Sequence, residues 1–224
     1  METKYQVIAL VGKAGAGKDT VQKITCSAHQ LMFNPIISCT TRPMREKEIQ
    51  DVDYHFVSLV DFTRGVLDGS MLEATEFRGW FYGTPESSLV KDKINIGVFN
   101  PAGVEALLDD PRLNVLVVKI TAKDKTRLLR CLSRENNPDC AEICRRFITD
   151  EKDFEAFSHL EEYAVVSNED GEDADLLAKL SHRLEWFEAM WNELDVDTSF
   201  ETIMRWESSM LKKAESSDVE DKNG

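Results

Sequence analysis

An α/β fold, a five-stranded parallel sheet covered by helices, is predicted by three observations on this chain of 224 residues. Apolar runs recur at long intervals: VIALV (7–11), PIIS (35–38), INIGVF (94–99), NVLVVKI (114–120) and YAVVS (163–167). Runs that are apolar at successive positions suit strands buried on both faces, as in a parallel sheet. Helical patterns lie between several of these runs, and alternation of strand and helix is the usual wiring of such a sheet. A hydrophobic content of 42% is enough, at this length, to bury a full core.

The elements follow in order. After the first strand comes a Gly-rich turn at 12–17 and a helical pattern, TVQKITCSAHQLMF, at 20–33. Residues 39–93 then break the rhythm with polar positions, short alternating runs such as DYHFVS, and a helix over SLVDFTRGVLDG, which reads as an inserted subdomain. In PAGVEALLDD, Asn100 is placed as the N-cap and Pro101 as the first helical residue. TAKDKTRLLRCLSRE is a further helix, and ENNPDC (135–140) is a loop or lid between two Arg-bearing helical stretches. LLAKLSHRLEWFEAMWNEL has apolar residues and two Trp at helical spacing, as a packed terminal helix does, whereas AESSDVEDKNG (214–224) is too polar to bury and is expected to be disordered.

Charge and cysteines exclude some functions. A formal net charge of −14 argues against nucleic-acid binding, which needs a basic surface. Five cysteines, at 26, 39, 131, 140 and 144, include no CxxC pair, so neither a disulfide framework nor a zinc site is indicated and reduced thiols in the cytoplasm are expected. No apolar run approaches the roughly 18 residues of a membrane span, and no export or anchoring segment is expected. Against this acidic background the polar run "ISCTTRPMREKEIQDVDYHF" (36–55) gathers three cations with Ser and Thr hydroxyls.

The turn "LVGKAGAGKDTV" matches G-x-x-x-x-G-K over residues 12–18, with a strand before it and a helix after. In that context backbone N–H groups and a helix N-terminus converge on phosphate oxygens, and Lys18 reaches the terminal phosphates of a nucleotide. ATP is thus assigned to Gly12, Ala14, Gly15, Ala16, Gly17, Lys18, Asp19 and Thr20. Asp19 stands where Ser or Thr normally meets magnesium, with Thr20 next. Either the loop is inactive or the metal is held mainly through water and substrate phosphates, which magnesium tolerates. The second reading is favoured because adenylate kinases resemble this arrangement, and magnesium is assigned to Thr20 or Asp19.

Residues 38–56, SCTTRPMREKEIQDVDYHF, resemble the guanylate kinase pattern S-x-T-T-R-x-x-R-x-G-E-x-x-G-x-D-Y-x-F, and MLEATEFRGWFYGTPESS resembles that family's following segment, an E and then G-x-x-Y-G-[ST]. The similarity covers roughly residues 5–170. It implies a P-loop kinase fold and an ATP-dependent phosphorylation of GMP or dGMP. Residue by residue, it implies that Arg42, Arg45, Tyr54 and Tyr82 hold the acceptor phosphate and that Ser38, Glu73 and Thr84 read guanine. Glu48 and Asp53 match as supports. Of Arg130, Arg134, Arg145 and Arg146, which flank ENNPDC, the pair Arg134 and Arg146 would close over the transferring group from either side of the loop, and Asn168 in VVSNED would lie near the ATP base. Lys18, Arg42, Arg134 and Arg146 are the implied catalytic set.

The sequence departs from the family at Lys47 and Asp51, where Gly is usual, and at Asn100, where the family has an Asp-containing segment near magnesium. The expected organisation is a kinase domain over 1–174 (core 1–38 and 94–174, acceptor subdomain 39–93, lid about 130–146), a helical extension over 175–213 and a tail. The partners expected are small nucleotides only. Two other functions fit: a phage-type deoxynucleotide kinase of broader range, and an inactive guanylate-kinase-like binding module.

Overall fold

The computed structural model describes residues 4–46, 48–77, 79–134, 136–156, 158–159, 164–169, 184–192, 194, 199 and 201–205. Strand β1 (Tyr5–Val11) is central and parallel to β7 (Ile94–Val98) on one side and β8 (Leu113–Thr121) on the other. Strand β2 (Phe33–Pro35) extends the sheet beyond β7, and β9 (Ala164–Ser167) beyond β8, giving the order β2-β7-β1-β8-β9. Side chains alternate between the two faces of β1. Ile8 and Leu10 join a core with Val21, Met32, Phe33, Ile96 and Ile120, while Val7, Ala9 and Val11 join another with Val104, Leu107 and Val117. Burial on both faces is why the strands read as unbroken apolar runs.

Two boundaries differ from expectation. Helix α1 (Lys18–Ala28) starts earlier and ends earlier than the 20–33 pattern, because the His29 N–H closes on Thr25 O (3.0 Å) and Phe33 N on His29 O (2.9 Å), which turns the chain. Met32 and Phe33 are thereby carried into the core, at 0% and 2% exposure, as the lead into β2. The second strand accordingly starts before the PIIS run and ends on its first residue, Pro35. Ile36 still donates to Ile96 O (2.8 Å), after which the chain leaves for a second sheet.

That sheet has the order β4-β3-β6-β5, built from β3 (Cys39–Thr40), β4 (His55–Phe56), β5 (Met71–Phe77) and β6 (Trp80–Pro85). Helix α2 (Leu59–Leu67) is capped by Ser58, whose Oγ accepts from the Asp61 N–H (3.1 Å), and seats Phe62 against Phe81 (ring centroids 5.7 Å apart). Helix α3 (Pro101–Leu108) starts as predicted: Asn100 Oδ1 accepts from the Gly103 N–H at 2.7 Å, and its Nδ2 donates to Thr75 Oγ1 of β5 at 3.0 Å, joining the small sheet to the core.

Helices α4 (Asp124–Ser133) and α5 (Cys140–Ala156) flank the ENNPDC loop. Helix α6 (Leu184–Asn192) puts Met190 and Trp191 into the core beside Ile8 and Ile120. The start of the predicted terminal helix at 176–183, most of the rest of the extension beyond Asn192, and the whole 214–224 tail lie outside the described residues. No helix among the described residues is long and apolar enough to cross a membrane.

Candidate active site

The Gly-rich turn links the end of β1 to α1. Gly15 has φ +78, and a Cβ there would lie 2.4 Å from Arg127 O; Gly17 has φ +91, and a Cβ there would lie 2.3 Å from Asn168 Nδ2. Both therefore need the left-handed freedom and small volume of glycine. Gly17 is also the N-cap of α1 and supplies no side-chain acceptor, so the first-turn N–H groups remain available to an anion. Lys18 Nζ donates to Gly12 O (2.6 Å), folded back along the loop. Desolvation lowers the pKa of this lysine; Asp19 and Asp150 oppose the shift, and Arg134 and Arg146 add to it. Arg134 and Arg146, both named from the sequence, thus disfavour the charged form of Lys18. Arg134 Nη2 lies 4.0 Å from Asp19, and Arg146 Nε lies 4.0 Å from Glu142.

Asn168 follows β9 and is 1% exposed. Its Nδ2 donates to Ala16 O (3.0 Å), and its Oδ1 has no hydrogen-bond partner among the described residues. An orphaned buried acceptor beside the Gly-rich loop fits a position completed by a ligand donor.

A second group of candidate residues is built on the small sheet. Arg42 is 7% exposed and makes a bidentate contact with Glu48 (Nη1–Oε2 2.6 Å, Nη2–Oε1 2.5 Å). Its guanidinium lies over the rings of Tyr54 (5.0 Å) and Phe56 (5.3 Å). Burial works against the Arg42 charge, but Glu48 more than offsets this and its pKa is raised; reciprocally, the Glu48 pKa is lowered, burial being outweighed by Arg42 and the Arg45 N–H. Glu48 thus orients both arginines, as its Oε2 accepts the Arg45 N–H (2.8 Å) while the Arg45 side chain stays exposed.

Tyr54 and Tyr82 meet edge to face at 6.2 Å. Burial raises the Tyr54 pKa to about 12, so the phenol is a neutral donor at pH 7. Asp53 accepts from Lys23 (2.6 Å) and from the Ile49 N–H (2.9 Å), bracing this turn against α1. Asp51, at a usual glycine position of the family pattern, takes φ +63, the left-handed conformation that glycine favours, and its carboxylate pairs with His55 (2.7 Å). Lys47 lies outside the described residues.

Strand pairing sets Glu73 opposite Thr84. The Thr84 hydroxyl donates to Glu73 Oε1 (2.8 Å), and Ser38 Oγ lies 3.2 Å from Thr84 Oγ1. Glu73 is 9% exposed, with no cation among the described residues within ion-pair distance. Burial raises its pKa to about 7, a rise that Thr84 limits. A buried carboxylate with one hydroxyl donor keeps acceptor capacity to spare.

Three groups at the site were not singled out by sequence reasoning. Arg127 is 2% exposed and donates from Nε to Ala14 O (3.0 Å); Asp150 Oδ2 accepts the Ala14 N–H (2.5 Å); Lys13 pairs with Glu151. The available signal was the spacing of Arg127, Arg130 and Arg134, which puts all three on one helix face. Arg130 joins the loop too, its Nη1 donating to Gly15 O and Ala16 O (3.4 Å each), while its Nη2 donates to Glu169 O (2.9 Å).

Among the described residues no three His, Cys, Asp or Glu side chains form a ready-made metal site. Asp19 and Thr20, both exposed in the first turn of α1, are hard oxygen donors. They fit magnesium, which typically takes one or two protein oxygens and completes its shell with water and substrate phosphates. Asn100 is engaged as a helix cap and offers no carboxylate.

The chain matches the family model described as "Guanylate kinase" over residues 4–186. It is 31% identical to the guanylate kinase of Enterococcus faecalis over 173 residues, 75% of this chain and 84% of that one. It is 40% identical to that of Thermosynechococcus vestitus over 87 residues, which span 38% of this chain and 44% of that relative, less than half its length. Among solved structures, guanylate kinase from Anaplasma phagocytophilum is similar with a TM-score of 0.58 at 19% identity, covering 83% of this chain and 87% of that one, a likeness of fold. With a Gly-rich loop leading out of a five-stranded parallel sheet and a second sheet that carries Glu73 and leads into Arg42, the chain belongs to the guanylate kinase family.

Proposed function

We propose that this protein transfers the terminal phosphoryl group of ATP to GMP or dGMP, releasing ADP and the nucleoside diphosphate. The observation that carries the reading is Glu73, a buried carboxylate at the end of a Ser38–Thr84–Glu73 hydrogen-bond chain, in a chain of the guanylate kinase family. Guanine presents N1–H and an exocyclic amine side by side, the donor pair such a carboxylate lacks. Adenine has no such pair.

Phosphoryl transfer needs positioning and charge neutralisation more than covalent help. Arg42, its Nη1 and Nη2 held by Glu48, turns its remaining Nε and Nη2 N–H groups to the acceptor phosphate, with Arg45, Tyr54 and Tyr82 as further donors. Lys18 and the loop amides neutralise the donor phosphates, and Arg134 and Arg146 close over them from the lid. Asn168 offers its free Oδ1 to the ATP base. Magnesium, held through Thr20 or Asp19, supplies additional neutralisation of phosphate charge. Five free cysteines support a reducing, cytoplasmic setting.

A coupled assay of ADP release across nucleoside monophosphates tests the reading. GMP and dGMP are expected to turn over well and AMP, CMP and UMP at background. Comparable rates on AMP or CMP point instead to a broad deoxynucleotide kinase. No turnover on any monophosphate, with nucleotide still bound, points to a binding module.

The metal assignment has its own test. Thr20→Ala is expected to reduce magnesium-dependent turnover more than Asp19→Ser, since the latter restores a hydroxyl to the first turn of α1. The opposite ranking in a magnesium titration moves the role to Asp19.

A further inference from the structure

Asp150 lies on α5, one helical turn beyond Arg146, and reaches into the phosphate loop. Its Oδ2 accepts the Ala14 N–H at 2.5 Å and lies 3.3 Å from Arg127 Nη2. Arg127 is fixed in turn: Nε donates to Ala14 O (3.0 Å), Nη1 to Asp124 (2.7 Å), and its guanidinium covers the Phe147 ring at 4.4 Å. The same carboxylate acts on the Lys18 ammonium, favouring its charged form. A carboxylate on a loop amide, between a buried Arg and the loop lysine, is in an environment suited to a phosphate oxygen.

We propose that Asp150 is an affinity-determining residue of the donor site, a resident anion seated on the Ala14 amide by Arg127 as its positioning residue, which the triphosphate of ATP displaces. The proposal rests on the reading of the loop as an ATP site. One N–H cannot serve carboxylate and phosphate oxygens equally well, and hydrogen bonds to charged acceptors are the strong ones, so the resident carboxylate lowers apparent ATP affinity. Because Asp150 and Arg146 share α5, its release also frees the helix that carries a lid arginine. Asp153, exposed on the same helix and without a hydrogen bond or ion pair to the loop, provides a control of equal charge.

The test is calorimetric titration of the full chain with ATP, without acceptor. Asp150→Asn is expected to tighten binding about tenfold and to lower the KM for ATP without raising kcat. Asp153→Asn is expected to change binding less than twofold. Adding Asp150→Asn to Arg127→Met is expected to change it little, because the seat is already lost. Should Asp150→Asn unfold the chain, Asp150→Ser takes its place. Unchanged or weaker binding in the Asp150 variants overturns the proposal, as does equal tightening by Asp153→Asn, which marks a diffuse field effect. A wild-type chain that binds no ATP overturns the reading of the loop itself.

Discussion

Lys18→Ala is expected to lower kcat for GMP phosphorylation by about 10²-fold or more, the scale found when a main electrostatic stabiliser is removed. The side chain contributes nothing to the apolar core; its contacts are loop carbonyls, Gly12 O first. Thermal unfolding of the variant should therefore match the wild type to within about 1 kcal/mol, as for substitutions away from packed or paired positions. The loop amides and the N-terminus of α1 remain, so ATP binding should weaken less than turnover. Near-normal kcat in single-turnover measurements would show that the loop no longer takes part in chemistry.

Glu73→Gln is expected to separate guanine recognition from stability. The amide keeps an acceptor for Thr84 but presents one oxygen and an NH₂ to the base, so kcat/KM for GMP and dGMP should fall by about 10³-fold while that for AMP hardly changes. Stability should move the other way. Because burial raises the folded-state pKa to about 7, the wild-type carboxyl is neutral and costs little below its unfolded value near 4.5. Its cost grows as pH rises between those values and levels off above about 7, where it reaches about 3 kcal/mol. The variant should thus be the more stable protein at pH 8 and indistinguishable at pH 4, by denaturant titration at each pH. Equal stability at pH 8 would mean that the carboxylate is already neutralised without substrate.

The parallel sheet was legible because its strands are buried on both faces, which leaves long apolar runs. Strands β3 and β4, of two residues each, leave no periodicity to read and were found only as part of a polar insertion. The early end of α1 was hidden because what ends it is the pull of Met32 and Phe33 into a core formed with distant strands. On the acceptor side, motif spacing brought Ser38, Arg42, Glu73 and Thr84 into view. Arg127 and Asp150 escaped because a helical arginine reads as solvated, and what buries this one is Ala14 on the loop and Phe147 and Asp150 on another helix. Asp51 lies between these cases. Its oddity is visible in the sequence, but its left-handed φ is visible only in the fold.

The strand order has a consequence for how the chain reaches this state. Gln6 in β1 pairs with Ile94 and Asn114, so the central strand is made first and finds neither neighbour until a hundred or so residues have emerged. Pairings of such long sequence separation slow folding, since loop-closure entropy is lost before contacts repay it. Meanwhile β5 and β6, adjacent in the chain and antiparallel, can form with α2 as a local unit. During synthesis the apolar β1 depends on the amphipathic α1 that follows it for cover, and it is there that a chaperone has most to protect.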